Sequence, residues 1–268
     1  MGMLKIGFYV NSAKQTALAA VTSLTRNAVA NGLCVVEDFN QADVVIALGG
    51  DGTILRAARE ISSAGILGFN LGSLGYLSAV GEENFSEAFS MLAKGAFKLT
   101  QRSMLEVKKE GSQTFTALND VVITREMSGH AAVLEMMVNG RDATRYMADG
   151  LVVATPTGST AYSLAAGGPV LLADCPIISV TPINPHALGV RSIVLNDDVA
   201  ITITSRRRVN GIAENIGVYA DGEGVFKLGG DEYAMISKSS RKANFVELDG
   251  YDPYKVLSRK LGWNERRL

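Results

Sequence analysis

Val44-Val45-Ile46-Ala47-Leu48-Gly49-Gly50-Asp51-Gly52-Thr53 is the stretch that decides how this chain of 268 residues is read. Its apolar start has the length and composition of a strand buried on both faces. The chain leaves that strand through two glycines, an acid and a third glycine, and a helical pattern follows. Glycines in such a place strip away side chains and let consecutive backbone N–H groups approach a ligand. With a helix N-terminus directly behind them, those groups favour an anion, above all a phosphate. The carboxylate in the gap, Asp51, would be repelled by phosphates unless it held a metal ion or took a proton. Both roles suit phosphoryl transfer. A plain structural turn is the competing reading, because Asp-Gly also occurs at Asp149, Asp221 and Asp249 and turns account for most such pairs.

Around this stretch, strand and helix patterns alternate. Lys5 to Val10, Leu33 to Glu37, Asp43 to Leu48 and Ile66 to Asn70 read as short buried strands. Lys14 to Asn31, Thr53 to Ala64 and Asn84 to Lys94 have helical spacing, with Gly32 as a stop after the first. This alternation predicts a parallel sheet covered on both faces. Ligands of such sheets sit beyond the carboxyl ends of the strands, where Gly49 to Gly52 falls.

After about Thr100 the texture becomes β-rich. Met104 to Lys109, Thr116 to Thr124, Ala132 to Val138, Gly150 to Ala154, Ile177 to Thr181, Val199 to Thr204 and Gly217 to Ala220 read as strands. Asn139-Gly140 and Asp221-Gly222 read as hairpin turns. A short helical insert near Ser159 to Ala166 and a terminal helix at Tyr254 to Leu261 complete the pattern. The expected organisation is an α/β domain with a Rossmann-like parallel sheet over residues 1–100 and a β-rich, sandwich-like domain over 101–240. The tail, 241–268, is expected to pack back on the first domain, and the active site to lie between the two.

Composition narrows the function classes. Hydrophobic residues make up 47% of the chain and charged residues 20%, with a formal net charge of -1. That balance fits a globular enzyme and offers neither a nucleic-acid nor an anionic-membrane surface. Arg206-Arg207-Arg208 and Arg266-Arg267 are too short to change this. Cys34 and Cys175 are the only cysteines, and His130 and His186 the only histidines, so neither a disulfide framework nor a protein-built metal centre is expected. Met1-Gly2-Met3-Leu4-Lys5 runs directly into a strand, without the apolar region of a signal peptide. No apolar run approaches the length of a membrane span. A cytoplasmic protein is expected. No G-x-x-x-x-G-K-[ST] sequence exists, and Gly65, Gly68, Gly72 and Gly75 do not form G-x-G-x-x-G, which disfavours P-loop and hydride-transfer dinucleotide folds.

Four motifs together resemble those of the NAD kinases, which phosphorylate the 2′-hydroxyl of the adenosine ribose of NAD. They are Gly49-Gly50-Asp51-Gly52-Thr53; Asn70-Leu71-Gly72-Ser73-Leu74-Gly75-Tyr76-Leu77; Asn119-Asp120; and the block from Asp149 to Gly168. The first is shared with lipid kinases, which continue differently where Asn70 to Leu77 stands here. A non-catalytic NAD-sensing protein is a further alternative, although such a protein would be expected to lose Asp51.

The resemblance implies residue roles. Asp51 is the catalytic proton acceptor for the ribose hydroxyl. Gly49, Gly50, Gly52 and Thr53 face the donor phosphates, and Arg56, one turn on, points a guanidinium at them. Asp51, Gly52, Asn119, Asp120, His130, Arg145, Asp149, Thr160, Ala161, Tyr162, Ser163 and Ala165 form the NAD site. In this family most relatives carry Asn-Glu where Asn119-Asp120 stands here, and many carry Gln where Glu223 stands. The resemblance also implies ATP or inorganic polyphosphate as donor, Mg2+ accompanying the ATP, and a homodimer or homotetramer in which a neighbour completes the NAD pocket.

Overall fold

The computed structural model describes residues 2–11, 15–71, 75, 77, 80–126, 131–187, 189–205, 208–209, 212–213, 215–230 and 232–263. The chain divides into two compact units, Met1–Gln101 with Ala243–Leu268, and Arg102–Lys242.

In the first unit the elements run β1 (Lys5–Val10), α1 (Gln15–Ala30), β2 (Cys34–Val35), β3 (Val44–Leu48), α2 (Asp51–Glu60), β4 (Gly65–Asn70), β5 (Val80–Gly81) and α3 (Phe85–Ala93). The strands pair in parallel in the order β5–β4–β3–β1–β2. Every residue of β3 and β4 is buried, as their unbroken apolar runs require of strands covered on both faces. Their side chains share a core with Ala17, Leu24 and Ala28 of α1 and with Phe85, Phe89 and Leu92 of α3. Phe69 stacks on Phe85 at 4.3 Å within it. Gly32, with φ +85°, ends α1 in the left-handed conformation that glycine adopts without strain.

The second unit opens with β6 (Phe97–Lys108), which enters from the first unit. It continues through β7 (Phe115–Ala117), β8 (Asp120–Arg125), β9 (Ala132–Val138), β10 (Arg141–Ala148), β11 (Gly150–Ala154), α4 (Tyr162–Ala165), β12 (Ile177–Ile183), β13 (Ile193–Asn196) and β14 (Ile201–Ser205). A small hairpin of β15 (Arg208–Val209) and β16 (Ile212–Ala213) precedes β17 (Ile216–Ala220), β18 (Glu223–Leu228) and β19 (Tyr233–Leu248), and α5 (Pro253–Lys260) follows. One antiparallel sheet is ordered β13–β12–β11–β8–β17–β18, while β10, β9, β14 and the first part of β19 form another, with β6 and β7 alongside. Inward residues of both, among them Val121, Val153, Leu134, Ile203 and Ile236, meet in one core. This is the sandwich arrangement. On the opposite face of the first of these sheets, Val122, Val152, Ala154 and Ile183 pack with Ala166 and Tyr219. The end of β19 returns to the first unit, where Phe245 pairs with Ile66.

The expected fold class is therefore what the chain adopts: a parallel α/β unit and an antiparallel β unit. Both hairpin turns form, with φ of 50° and 73° at Asn139-Gly140 and 48° and 80° at Asp221-Gly222, the positive pair that a two-residue turn needs to match strand twist. Three boundaries differ in an instructive way. α2 begins at Asp51 rather than Thr53, because Gly50 takes the extended N-cap conformation. The strand expected over Thr116 to Thr124 is broken at Leu118-Asn119 into β7 and β8. β19 was not expected at all, because its middle, Ser237-Lys238-Ser239-Ser240-Arg241-Lys242, is polar and leaves no long apolar run to announce it.

Candidate functional site

β3 delivers the chain to the glycine turn. The Gly49 N–H donates to Phe69 O on β4 at 2.8 Å, which anchors the start of the turn to the neighbouring strand. Gly49 has φ +153°, and a Cβ there would come within 2.5 Å of Thr53 Oγ1; its lack of a side chain lets buried Thr53 tuck beneath the turn. The Thr53 N–H then donates to Gly50 O at 2.9 Å. At Gly50 and Gly52 the reason for glycine is different. A Cβ at either would meet no atom of the described residues within 4 Å, so packing among the described residues does not demand glycine there. The open flank they leave lies at the positive end of α2, where N–H groups without helical partners favour an anion.

Asp51 occupies the first turn of α2. Its Oδ1 accepts the Leu77 N–H at 3.0 Å. Leu77 closes the motif that starts at Asn70, so the first two sequence motifs meet on this carboxylate. Arg56 is exposed one turn further on. At the far end of the chain, Lys260 in the last turn of α5 lies within electrostatic reach of Asp51. Partial burial pulls the Lys260 pKa below its ordinary value, and the charge of Asp51 opposes that shift. Lys260 was not among the expected site residues, since nothing local marks a lysine near the C-terminus as close to residue 51.

In the second unit, the break between β7 and β8 carries Asn119 and Asp120. Three N–H groups at the break, those of Leu118, Asn119 and Asp120, donate to the Asp221 carboxylate at 2.9, 2.7 and 3.3 Å. The Asp221 N–H donates back to Asp120 O at 3.0 Å. Asp221 thus holds the segment in a shape that strand pairing alone would not give. Asp120 is buried, and burial first, then the charge of Asp221, raise its carboxyl pKa to about 7. Asn119 Oδ1 is buried without a hydrogen-bond partner among the described residues. Such an atom is costly unless a ligand donates to it.

The Thr155 to Ser163 stretch is brought against this break. Thr155 Oγ1 donates to Leu118 O at 2.6 Å, and the Thr155 N–H to Asn119 O at 2.9 Å. A Cβ on Gly158 would lie 2.0 Å from Asn119 O, so only glycine permits this approach. Thr160 donates to Thr157 O at 3.2 Å, and buried Ser163 shares a 3.2 Å hydrogen bond with Thr181. Tyr162, 45% exposed, projects its ring outward from α4; Ala161 and Ala165 flank it.

Asp149 and Arg145 lie elsewhere. Asp149 sits at the opposite end of β11 from Thr155, about 20 Å along an extended strand. Its Oδ1 receives Arg125 Nε and Nη2, each at 2.8 Å, and its Oδ2 receives Asn184 Nδ2 at 3.0 Å. These bonds, the Asn184 amide foremost, hold its carboxyl below the usual carboxylate range. Arg145, on edge strand β10, is ion-paired with Glu135 on β9. Glu223 opens β18 and is exposed, and His130 falls outside the described residues. The supporting residues Asp221, Gly158, Arg125 and Asn184 were not among the expected site residues. Asp221 had a local signal in its Asp-Gly pair, which also fits an ordinary turn, and Gly158 lies within the Asp149 to Gly168 block.

Comparison with known proteins agrees with these motifs. The ATP-NAD kinase N-terminal domain model matches residues 9–97, and the ATP-NAD kinase C-terminal domain model matches residues 118–248. The NAD kinase of Clostridium beijerinckii is 37% identical over 234 residues, covering 84% of this chain and 81% of its own. That of Symbiobacterium thermophilum is 40% identical over 229 residues, covering 83% and 80%. Among solved structures, yeast NADH kinase complexed with NADH superposes with a TM-score of 0.87 at 23% identity, covering 98% of this chain and 88% of that one. An NAD kinase from Archaeoglobus fulgidus in complex with ATP gives 0.77 at 23%, covering 97% and 99%. These two show a shared fold. With both halves matched in order by the family models, this chain belongs to the NAD kinase family and phosphorylates NAD to NADP.

Proposed function

We propose that Asp51 accepts the proton of the adenosine ribose 2′-hydroxyl as that oxygen bonds to the terminal phosphorus of ATP and the bridging P–O bond to ADP breaks. The observation that carries this reading is the seat of Asp51. Its carboxylate is oriented by the Leu77 N–H at the N-terminus of α2, with the open glycines Gly50 and Gly52 on either side. A carboxylate is a weak base for an alcohol, so its contribution is to orient the hydroxyl and take the proton late. Gly49, Gly50, Gly52 and Thr53 form the donor turn, and Arg56 adds a cation beside it. Neutralisation of the transferring group then comes from backbone N–H groups, the helix end and that guanidinium.

On the acceptor side, Asn119 and Asp120 bind the adenosine part of NAD, and Thr160, Ala161, Tyr162, Ser163 and Ala165 line the pocket beside them. The partnerless Asn119 Oδ1 supports this, since a ligand N–H or O–H would satisfy it. Asp149 and Arg145 serve from a neighbouring copy in a homodimer or homotetramer, as the distance of Asp149 from Asn119 along β11 supports. His130 remains part of the proposed NAD set by resemblance alone. Mg2+ enters with the triphosphate. Such an ion would be carried by the substrate phosphates, with Asp51 as the acid at hand. No helix of the described residues is long and apolar enough to cross a membrane, and both cysteines are free; a cytoplasmic setting accords with both.

The test is turnover. Purified protein given ATP, Mg2+ and NAD should form NADP, and Asp51→Asn, nearly isosteric and still able to accept the Leu77 N–H, should keep its fold while turnover drops by about 10²–10⁴-fold. A variant that retains wild-type turnover would remove Asp51 from the chemistry.

A further inference from the structure

The chain beyond β19 stays with the first unit and ends in α5, and both ends of that helix are fixed. The Asp249 N–H donates to Ala96 O at 3.0 Å. Asp252 caps α5 by accepting the Tyr254 and Lys255 N–H groups at 2.9 and 3.2 Å, with Pro253 at the first helical position. At the other end Gly262 takes a φ of 64°. The Trp263 N–H donates to Ser258 O at 3.0 Å and the Gly262 N–H to Arg259 O at 3.4 Å. Those two bonds around a left-handed glycine close the last turn and set the place of Lys260.

α5 has one sheltered face. Val256, Leu257, Lys260 and Leu261, spaced as one side of a helix, are half-buried, while Tyr254, Lys255 and Arg259 are exposed. A lysine on such a face is costly unless an anion lies near. Asp51, on α2 of the same unit, is that anion. Burial lowers the Lys260 pKa most, the charge of Asp51 opposes that shift, and Arg259 beside it in α5 adds to it.

The reaction gives this neighbourhood a use. Asp51 and the transferring phosphoryl group must both reach the same ribose oxygen, so two negative groups are forced together as the oxygen–phosphorus bond forms. Like charges at that separation repel, and the carboxylate can relieve the repulsion by turning away from the hydroxyl it must meet. The Leu77 N–H orients one carboxylate oxygen. A cation reaching in from α5 adds an attraction stronger than a neutral donor supplies. We infer that Lys260 is a positioning residue of the reaction, its ammonium group holding the charged Asp51 carboxylate in place against the incoming phosphoryl group. The inference rests on the reading of Asp51 as the proton acceptor.

Lys260→Met keeps a long stem and suits a half-buried face, so the fold should survive, as circular dichroism would show. If it does not, Lys260→Gln takes its place. The kcat for NADP formation should fall by about tenfold or more, whereas Lys260→Arg, which keeps a cation, should retain most of it. In an Asp51→Asn background the same removal of Lys260 should cost less than about twofold, because the amide has no charge to hold. Turnover of Lys260→Met close to wild type overturns the inference. So does an equal loss in both backgrounds, or an arginine variant no better than the methionine one. Asp51→Asn alone separates the two readings. Wild-type turnover in that variant defeats the role of Asp51 itself, whereas an inactive Asp51→Asn beside an unimpaired Lys260→Met defeats only the role of Lys260.

Discussion

A buried carboxyl group next to another acid makes the clearest prediction at the scale of one residue. Asp120 has a pKa of about 7 in the folded chain against about 3.9 for an unfolded aspartate. The folded state therefore binds more protons than the unfolded state between those values, and stability must fall as pH rises from about 4 to about 7. Above that window the full cost of the buried charge is present. Asp120→Asn mimics the protonated form. It should raise the melting temperature at both pH 5 and pH 8, and by clearly more at pH 8, as thermal melts at the two pH values would show. An equal effect at both would mean that Asp120 is not charged at pH 8.

At the scale of the element, the break between β7 and β8 depends on two residues remote in sequence. Gly158 lets the Thr155 to Ser163 stretch close on Asn119. Gly158→Ala would drive a Cβ into Asn119 O, and because that neighbour is backbone it has little room to yield. Urea denaturation should show a loss of about 1–3 kcal/mol, and KM for NAD should rise because Asn119 and Asp120 move. Asp221→Ala removes the acceptor of three N–H groups at once and leaves alanine at a φ of 48°. A loss of about 2–3 kcal/mol is expected for the charged hydrogen bonds. Asp221→Asn, which tolerates that φ and keeps a carbonyl acceptor, should recover part of it. If both variants melt with the wild type, Asp221 does not shape this segment.

At the scale of the whole molecule, placing Asp149 and Arg145 in a neighbour's NAD site can be tested by mixing. Asp51→Asn and Asp149→Ala should each be impaired alone. Mixed, exchanged and assayed, a symmetric dimer should recover about a quarter of wild-type activity, since half of the dimers are mixed and each has one intact site. No recovery would mean that Asp149 acts within its own chain, and light scattering of the wild type would give the assembly size.

How much was legible in advance follows from how local each feature is. Val44 to Thr53 could be read because a buried strand, a glycine turn and a helix start are encoded in adjacent residues. The hairpins at Asn139-Gly140 and Asp221-Gly222 were legible for the same reason. β19 was not, because its polar middle leaves no contiguous apolar signal. Nor could the sequence show that Leu77 would donate to Asp51, that Lys260 would come near the same carboxylate, or that Asp221 would gather three N–H groups from residues 118–120. By itself the sequence determined the fold class and the family, and it singled out Asp51 as the acid proposed for the reacting centre, all of them carried by short stretches with local physical meaning. The tertiary structure alone decided which carboxylate is buried, and which glycine permits a close approach and which faces open space. Those depend on residues distant in sequence being packed into contact, where burial and exclusion of water set the energies.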